Sequence, residues 1–172
     1  MATCLSHFEK EYLILVLKQF IHFKERAEKA ILQLTVEELH WRPNEESNNI
    51  AIIIKHLSGN MQSRRSEFLT TDGEKASRDR DSEFLDDIYK KEDLMKAWED
   101  GWKLLFQTIE NLQPSDLHKE ITIRTQPLSV LQAIQIEVAH ISYYLGQIIY
   151  IGKQMKNKEW ITLSIIVSRS GV

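Results

Sequence analysis

The sequence predicts an all-α fold, a four-helix bundle, formed by a single domain that spans residues 1–172. Four long segments carry apolar residues at three- and four-residue spacing, which is the period of a helix with one buried face. Glycine and proline are scarce, at 6 and 3 residues, which favours long helices over many short strands. The connections between the segments are short, so neighbouring helices are expected to pack antiparallel.

The first two helical segments are separated by a break at Trp41-Arg42-Pro43. The first runs from about Leu5 to Leu34. Thr35 and Glu38 match a capping box and predict a short extra turn before the break. Ser47, Asn48 and Asn49 are good caps for the start of the second segment, which extends from Ile50 to Leu69.

The second half of the chain predicts two more helices with a short extended piece between them. The third helix runs from about Lys91 to Leu112. From His118 to Leu128 apolar and polar residues alternate and Pro127 closes the stretch, which predicts one arm of a small hairpin. Ser129 is a plausible cap for the last helix, which ends near Met155.

Composition excludes several classes of protein. The net charge of −3 provides no basic field for nucleic acid. The single cysteine, Cys4, fits a reducing compartment. Charged residues are mixed into the apolar start, Met1 to Phe20, so it has no clean signal-peptide core. The longest aliphatic run there, Leu13 to Leu17, is too short to span a bilayer. The sequence therefore predicts a cytoplasmic protein without a nucleic-acid or membrane partner.

Two histidines lie within helical segments, beside the apolar seam. They are His56 and His140, and imidazoles on facing helices are how helical bundles build metal sites. Tyr144 follows His140 by four residues and therefore projects from the same face. Gly59 leaves room beside His56 for another helix or a ligand. The alternative for each histidine is a hydrogen-bonded packing role.

Two other patterns receive less weight. Glu-x-x-His occurs at 37–40 and at 137–140, with the spacing used by di-iron bundles, but the first copy runs into the proline break and residues 50–60 carry no carboxylate. Arginines interleaved with acidic residues are interpreted as a solvated, salt-bridged surface, with an anion-binding rim or a dimer contact as alternatives. These arginines are Arg64, Arg65, Arg78 and Arg80.

The order of these motifs resembles the DinB/YfiT-like family of helical-bundle proteins of bacteria, which includes metal-dependent enzymes. The resemblance covers nearly the whole chain, and the tail from Trp160 to Ile165 is similar to one branch of the family. It is carried by Trp41-Arg42-Pro43, Ser47-Asn48-Asn49-Ile50, His56-Leu57-Ser58-Gly59-Asn60, the loop Arg78 to Phe84, and His140 to Ile148.

The resemblance implies a mirror-type up-and-down four-helix bundle that is commonly a homodimer. It also implies a divalent metal, zinc or nickel, held by three histidines. His56 and His140 match two of these positions, and the third falls on Tyr144. Relatives of this kind include thiol S-transferases and metal-dependent hydrolases acting on small molecules.

Tyr144 leaves two functions open. Two imidazoles form a weaker site than three, and a tyrosine ligates as phenolate, whose ordinary pKa is about 10. A bound cation would lower that pKa; otherwise the hydroxyl hydrogen-bonds to an imidazole or a water. If a metal is bound, the chain is a hydrolase or thiol S-transferase with a modified metal site. Alternatively, it is a non-catalytic relative that has lost the metal and uses the cleft for small-molecule binding or dimerisation.

Overall fold

A computed structural model describes residues 2–87 and 90–163 of the chain, with side chains from His7 onward. Over these residues the protein is mostly helical, with one small two-stranded sheet. The helices are α1 (Ala2–Ile31), α2 (Val36–Leu39), α3 (Ile50–Arg65), α4 (Lys91–Asn111) and α5 (Val130–Lys156), and the strands are β1 (Glu120–Ile123) and β2 (Gln126–Ser129).

The four long helices pack around one core. Helix α3 lies along α4 and α1 lies along α5, while further contacts join α1 to α4 and α3 to α5. Helix α3 is buried on most sides, and consecutive apolar residues from Ile50 to Ile54 are all enclosed. Trp98 and Trp102 of α4 are fully buried beside it, with their rings edge to face at 5.4 Å. The core therefore centres on α3.

The predicted helix starts are confirmed. Thr35 and Glu38 form the capping box that begins α2. The Asn49 side chain accepts a hydrogen bond from the backbone N–H of Ile52 at 2.8 Å. Ser129 caps α5 in the same way through Gln132. Each cap satisfies backbone donors of the first turn, which have no partner within the helix.

The predicted end of the second helix is wrong. Helix α3 stops at Arg65, because Ser66 is extended and Glu67 has a φ of 49°. Phe68 continues the apolar period and is buried, but it reaches the core from a turn. The guanidinium of Arg65 lies 4.6 Å from the centre of its ring. The predicted helix is too long because Phe68 is buried like a helical core residue although its backbone is not helical.

The hairpin contains both arms within the predicted extended stretch. Strands β1 and β2 pair antiparallel, and Pro127 lies in β2 opposite Thr122 instead of closing a strand. Arg124 and Thr125 form the turn, with φ values of 53° and 62°. The Asp72 carboxylate accepts hydrogen bonds from the backbone N–H groups of both turn residues, at 2.9 and 2.7 Å. These bonds stabilise left-handed backbone that non-glycine residues seldom adopt.

The chain after α5 returns along the end of α1. Trp160 packs against Gly152, and the side-chain amide of Gln33 bonds both the N–H and the C=O of Ile161, at 2.8 and 3.1 Å. Residues 164 and 165 of the family-like tail lie outside the described residues. Within the described ranges, no helix is long and apolar enough to cross a membrane.

Candidate functional site

Helices α3 and α5 bring His56 and His140 together. The two Nε2 atoms are 3.2 Å apart, and the rings meet edge to face with centroids at 5.2 Å. His56 is 3% exposed, and the His140 side chain is 21% exposed. The pair therefore lies where the core meets the surface, with its two Nε2 atoms within hydrogen-bond distance of each other.

The Nδ1 atom of His56 contacts a carboxylate from the loop between α3 and α4. Glu83 lies in a 3₁₀ turn, Ser82–Phe84, and its Oε2 is 2.9 Å from His56 Nδ1. Arg78 donates to both oxygens of Glu83, from Nε at 2.7 Å and from Nη2 at 2.8 Å. The exposed fractions of the Arg78 and Glu83 side chains are 5% and 7%. We call Arg78, Glu83 and His56 the loop arm.

Gly59 makes the loop arm possible. The Glu83 side chain crosses α3 at this glycine, and a Cβ placed there would lie 2.8 Å from Glu83 Cδ. The predicted close approach at Gly59 is thus present. The group that approaches is a side chain of the loop, not another helix.

A second buried carboxylate stands behind His140. Glu137 precedes it by one turn of α5 and is fully buried, with its Oε2 accepting a hydrogen bond from Arg65 Nη2 at 2.8 Å. The Arg65 and Glu137 side chains are both 0% exposed. Glu137 Oε1 lies 3.9 Å from His140 Nδ1, which is too long for a hydrogen bond. We call Arg65, Glu137 and His140 the helix arm.

The interpretation of the arginines as a solvated surface is wrong for Arg65 and Arg78. Both are buried against carboxylates that face the imidazoles. A charged side chain is enclosed at acceptable cost only when it is paired and hydrogen-bonded. The two guanidinium groups therefore neutralise the carboxylates behind the histidines.

Both glutamates are ionised near neutral pH. Burial raises the pKa of Glu83, but the hydrogen bonds from His56 and Arg78 outweigh it and leave the pKa below its ordinary value. Burial also raises the pKa of Glu137, but the charge of Arg65 and the adjacent His140 lower it to about 2. An ionised Glu83 can only accept, so His56 Nδ1 carries the proton. Its Nε2 then presents a lone pair in the neutral ring.

Tyr144 completes the predicted trio. Its ring centroid lies 5.1 Å from the centroids of both imidazoles. Burial and the neighbouring Tyr143 raise the pKa of Tyr144, so its phenol is neutral near pH 7. Phe84 packs against His56 with ring centroids 4.7 Å apart, and Arg80 lies over Phe84 at 5.3 Å. The surroundings of the two imidazoles are therefore aromatic.

Two other histidines lie away from this pair. His40 Nδ1 is 2.5 Å from Asp86, and His118 pairs with Glu9. The first Glu-x-x-His copy thus ends at a separate contact between His40 and Asp86, and Glu137 of the second copy faces Arg65. Within residues 2–87 and 90–163 no group of three or more His, Cys, Asp or Glu side chains is arranged to hold a metal. The side chain of Cys4 lies outside the described part of the chain.

The sequence reasoning missed the two supporting pairs. Glu83 received no role, although it lies inside the Arg78 to Phe84 loop that carries the family resemblance. Gly59 indicated a close approach but not which group would fill the space. Glu137 was noticed only as part of a di-iron pattern. Pairing of buried charges across 72 residues, as between Arg65 and Glu137, leaves no local signal.

The profile of one protein family, described as "Protein of unknown function (DUF1572)", matches residues 7–169. A search of curated proteins finds no match. The family match covers α1 to α5 and therefore includes both arms of the site. The chain belongs to the DUF1572 family.

Proposed function

We propose that this chain is a DinB/YfiT-like four-helix bundle that binds a divalent metal ion, zinc or nickel, between His56 and His140. Tyr144 occupies the third ligand position, and the activity is that of a hydrolase or thiol S-transferase in the cytoplasm. The contacts of α1 with α5 and α4, and of α3 with α4 and α5, support the bundle because they join the four long helices in a ring.

The observation that carries the metal proposal is the spacing of the two Nε2 atoms. Ligand nitrogens around a tetrahedral zinc with bonds of about 2.0–2.1 Å lie roughly 3.3 Å apart. The observed distance is 3.2 Å. Metal-ligating histidines also direct their other ring nitrogen at a carboxylate. Glu83 and Glu137 stand in that place, with His56 in contact and His140 at 3.9 Å. The residues fit a metal ion.

The charges of the two arms also favour a cation between the imidazoles. His140 Nδ1 faces the Glu137 carboxylate and has no hydrogen-bond partner among the described residues, so this nitrogen favours the proton. Both Nε2 atoms would then carry lone pairs directed at each other across 3.2 Å. Such an arrangement is unfavourable without a cation between the rings. Either a metal ion or a shared proton satisfies it.

The residues around the pair define what the cleft does. Glu83 holds the His56 ring in one tautomer and orientation, Glu137 acts on His140 through its charge, and Phe84 covers part of the His56 ring. Tyr144 is a neutral phenol that can donate a hydrogen bond to a substrate atom or a water. A divalent ion held there would lower the pKa of a bound water or thiol and polarise an electrophile.

The alternative is a non-catalytic relative that has lost the metal. A specific observation favours it, since the 3.2 Å between the Nε2 atoms is also the length of a hydrogen bond in which one ring donates. The phenol of Tyr144 replaces the third imidazole that such a site needs. In this case the imidazoles share a proton, and the cleft binds a small molecule.

Metal content separates the two functions. Protein purified without a histidine tag is supplemented with zinc or nickel, dialysed and analysed by mass spectrometry and calorimetry. We expect near-stoichiometric metal in the native protein and in the His22→Ala control, which alters an exposed histidine. His56→Ala and His140→Ala should lose it. Metal far below stoichiometry in the supplemented native protein would refute the proposal.

Tyr144→His tests whether the three positions converge. A third imidazole should raise the affinity for zinc or nickel, whereas Tyr144→Phe should not. Both variants keep a ring beside the imidazoles, so the fold is preserved. An unchanged affinity in Tyr144→His would mean that the third position does not face the Nε2 pair.

A further inference from the structure

A polar cavity lies between α3 and the loop that carries Glu83. Its volume is about 330 Å³, which is within the range of about 300–1,000 Å³ typical of small-molecule pockets. Its lining consists of one glycine, one glutamine, three serines, two basic residues and two acidic residues, and none of these has an apolar side chain. Ligand pockets are usually lined mainly by apolar groups. This lining therefore favours a polar, charged molecule over an apolar one.

One pair of opposite charges in this lining is already neutralised. Arg78 and Glu83 both line the cavity and are bonded to each other twice, at 2.7 and 2.8 Å. Glu83 Oε2 also contacts His56, so both oxygens of this carboxylate are occupied. The two side chains are 5% and 7% exposed. They therefore form a neutral wall of the cavity.

The other two charges in the lining, Lys75 and Asp79, are not paired. Lys75 Nζ donates to two neutral oxygens, the hydroxyl of Thr71 at 2.5 Å and the backbone C=O of Asp72 at 2.7 Å. The Asp79 carboxylate accepts a hydrogen bond from the backbone N–H of Ser82 at 3.1 Å. Within the described ranges neither residue forms a salt bridge, although both line the same cavity. The cavity therefore presents one uncompensated positive charge and one uncompensated negative charge.

We propose that this cavity binds a zwitterionic small molecule of the amino-acid class, with its carboxylate at Lys75 and its ammonium group at Asp79. A ligand with a single charge leaves either Lys75 or Asp79 uncompensated, whereas a ligand with both charges complements each of them. Gln62 and Ser77 are exposed residues of the same lining. Their amide and hydroxyl groups can hydrogen-bond to the other polar atoms of the ligand.

The charges of the lining argue against simple ions as the ligand. A free phosphate or sulfate in this cavity would lie beside the carboxylates of Asp79 and Glu83, and like charges repel strongly where water is partly excluded. A divalent cation meets the opposite objection, because Lys75 and Arg78 line the same space. A zwitterion avoids both costs, since each of its charged groups faces a partner of opposite sign.

The cavity adjoins the loop arm. Glu83 lines the cavity and also lies 2.9 Å from His56 Nδ1, and Arg78 holds the same carboxylate. A ligand that contacts either side chain therefore changes the environment of the His56 ring without touching it. The inference does not depend on whether the histidines bind metal, because the cavity lining includes neither imidazole.

Titration calorimetry with glycine, β-alanine and γ-aminobutyrate tests the inference, because these molecules hold an ammonium and a carboxylate at increasing separation. At least one should bind about tenfold more tightly than acetate or methylammonium, each of which satisfies a single charge. Lys75→Gln and Asp79→Asn should each weaken that binding by about tenfold. Lys18→Gln and Asp93→Asn are the matched controls, since both residues are exposed and lie outside the cavity lining. They should bind as the native protein does.

Nuclear magnetic resonance of the His56 ring provides a second readout. Its ring-nitrogen signals should shift along the same saturation curve as the calorimetric binding, and circular dichroism verifies that each variant keeps its helices. The inference is overturned if none of the three zwitterions binds with a Kd below about 10 mM. It is also overturned if acetate or inorganic phosphate binds as tightly as the zwitterions, if Lys75→Gln and Asp79→Asn leave the affinity unchanged, or if binding leaves the His56 signals in place.

Discussion

The loop arm and the helix arm place the same kinds of group in the same order, an arginine, a glutamate and a histidine, but they are built differently. In the loop arm Glu83 contacts His56 at 2.9 Å and comes from a 3₁₀ turn that crosses α3 at Gly59. In the helix arm Glu137 is sealed between α3 and α5, and its free oxygen stops 3.9 Å from His140.

The two glutamates therefore have different roles, since Glu83 orients the His56 ring and Glu137 joins α3 to α5. The direct bond to Glu83 determines the tautomer and the ring orientation of His56. The Arg65–Glu137 pair instead joins α3 to α5 and acts on His140 through its charge. We therefore expect changes in the Arg65–Glu137 pair of the helix arm to act mainly on stability, and changes at Glu83 of the loop arm to act mainly on metal binding.

The largest effect on stability should follow from removing the guanidinium of Arg65 in the helix arm. Arg65→Ala leaves Glu137 ionised and unpaired at 0% exposure, so the free energy of unfolding should fall by about 3–5 kcal/mol in urea titrations. Lys96→Ala, which breaks an exposed pair with Asp100, should cost less than about 1 kcal/mol. Arg65→Met combined with Glu137→Leu should recover most of the loss. A cost for Arg65→Ala no larger than for Lys96→Ala would contradict this role.

Acid should lower the free energy of unfolding of the native protein through the Arg65–Glu137 pair. The pKa of Glu137 is about 2 in the folded state and 4.5 ordinarily, so its stabilisation is complete above pH 4.5 and is lost as the pH falls toward 2. The lost contribution is about 3 kcal/mol at 1.36 kcal/mol per pKa unit. Urea titrations at several pH values measure it. The Arg65→Met, Glu137→Leu protein should show a shallower decline, and an identical slope would argue against Glu137 as the source.

The loop arm should determine the affinity for zinc. Glu83→Gln removes the charged acceptor behind His56, and loss of such a partner costs about 10–100-fold in metal affinity. Calorimetry with zinc measures the change. Glu25→Gln, at an exposed position of α1, serves as the charge-matched control and should bind as the native protein does. Equal affinities in the two variants would show that Glu83 does not orient the ligand.

The smallest effect concerns the glycine under the loop arm. Gly59→Ala gains about 1 kcal/mol of helix propensity but forces Glu83 away from His56 and Arg78. We expect a stability change within about 1 kcal/mol together with weakened zinc binding. In a Glu83→Ala background the space is vacated, so the same substitution should be stabilising. A destabilising effect in that background would mean that something other than Glu83 needs the space.

Local rules predicted much of the fold. The caps at Thr35, Asn49 and Ser129 involve partners within three residues, so the sequence carries the whole interaction. The overrun from Arg65 to Leu69 arose because Phe68 is buried from non-helical chain, which a periodicity pattern does not distinguish from a helix. The hairpin turn depends on Asp72, which lies 52 residues before Arg124.

For the site, helical spacing and the family resemblance were enough to select His56, His140 and Tyr144, because each lies beside the apolar seam of a long helix. Their meeting is a fact of the structure, while their role as metal ligands stays a prediction. The arginines were placed on the surface because an isolated charge is costly to bury. Burial of Arg65 and Arg78 is acceptable because each is paired, Arg65 with Glu137 of α5 and Arg78 with Glu83 of the loop between α3 and α4.

By itself the sequence determined the helices, their starts, the scarcity of strand and the three side chains His56, His140 and Tyr144, since these depend on contacts within a few residues or on a repeating period. The tertiary structure decided which charges are buried, which carboxylate faces which imidazole, and that two Nε2 atoms lie 3.2 Å apart. The physical reason is that ion pairing and desolvation depend on distance in space. That distance is set only when α3, α5 and the loop carrying Glu83 have packed.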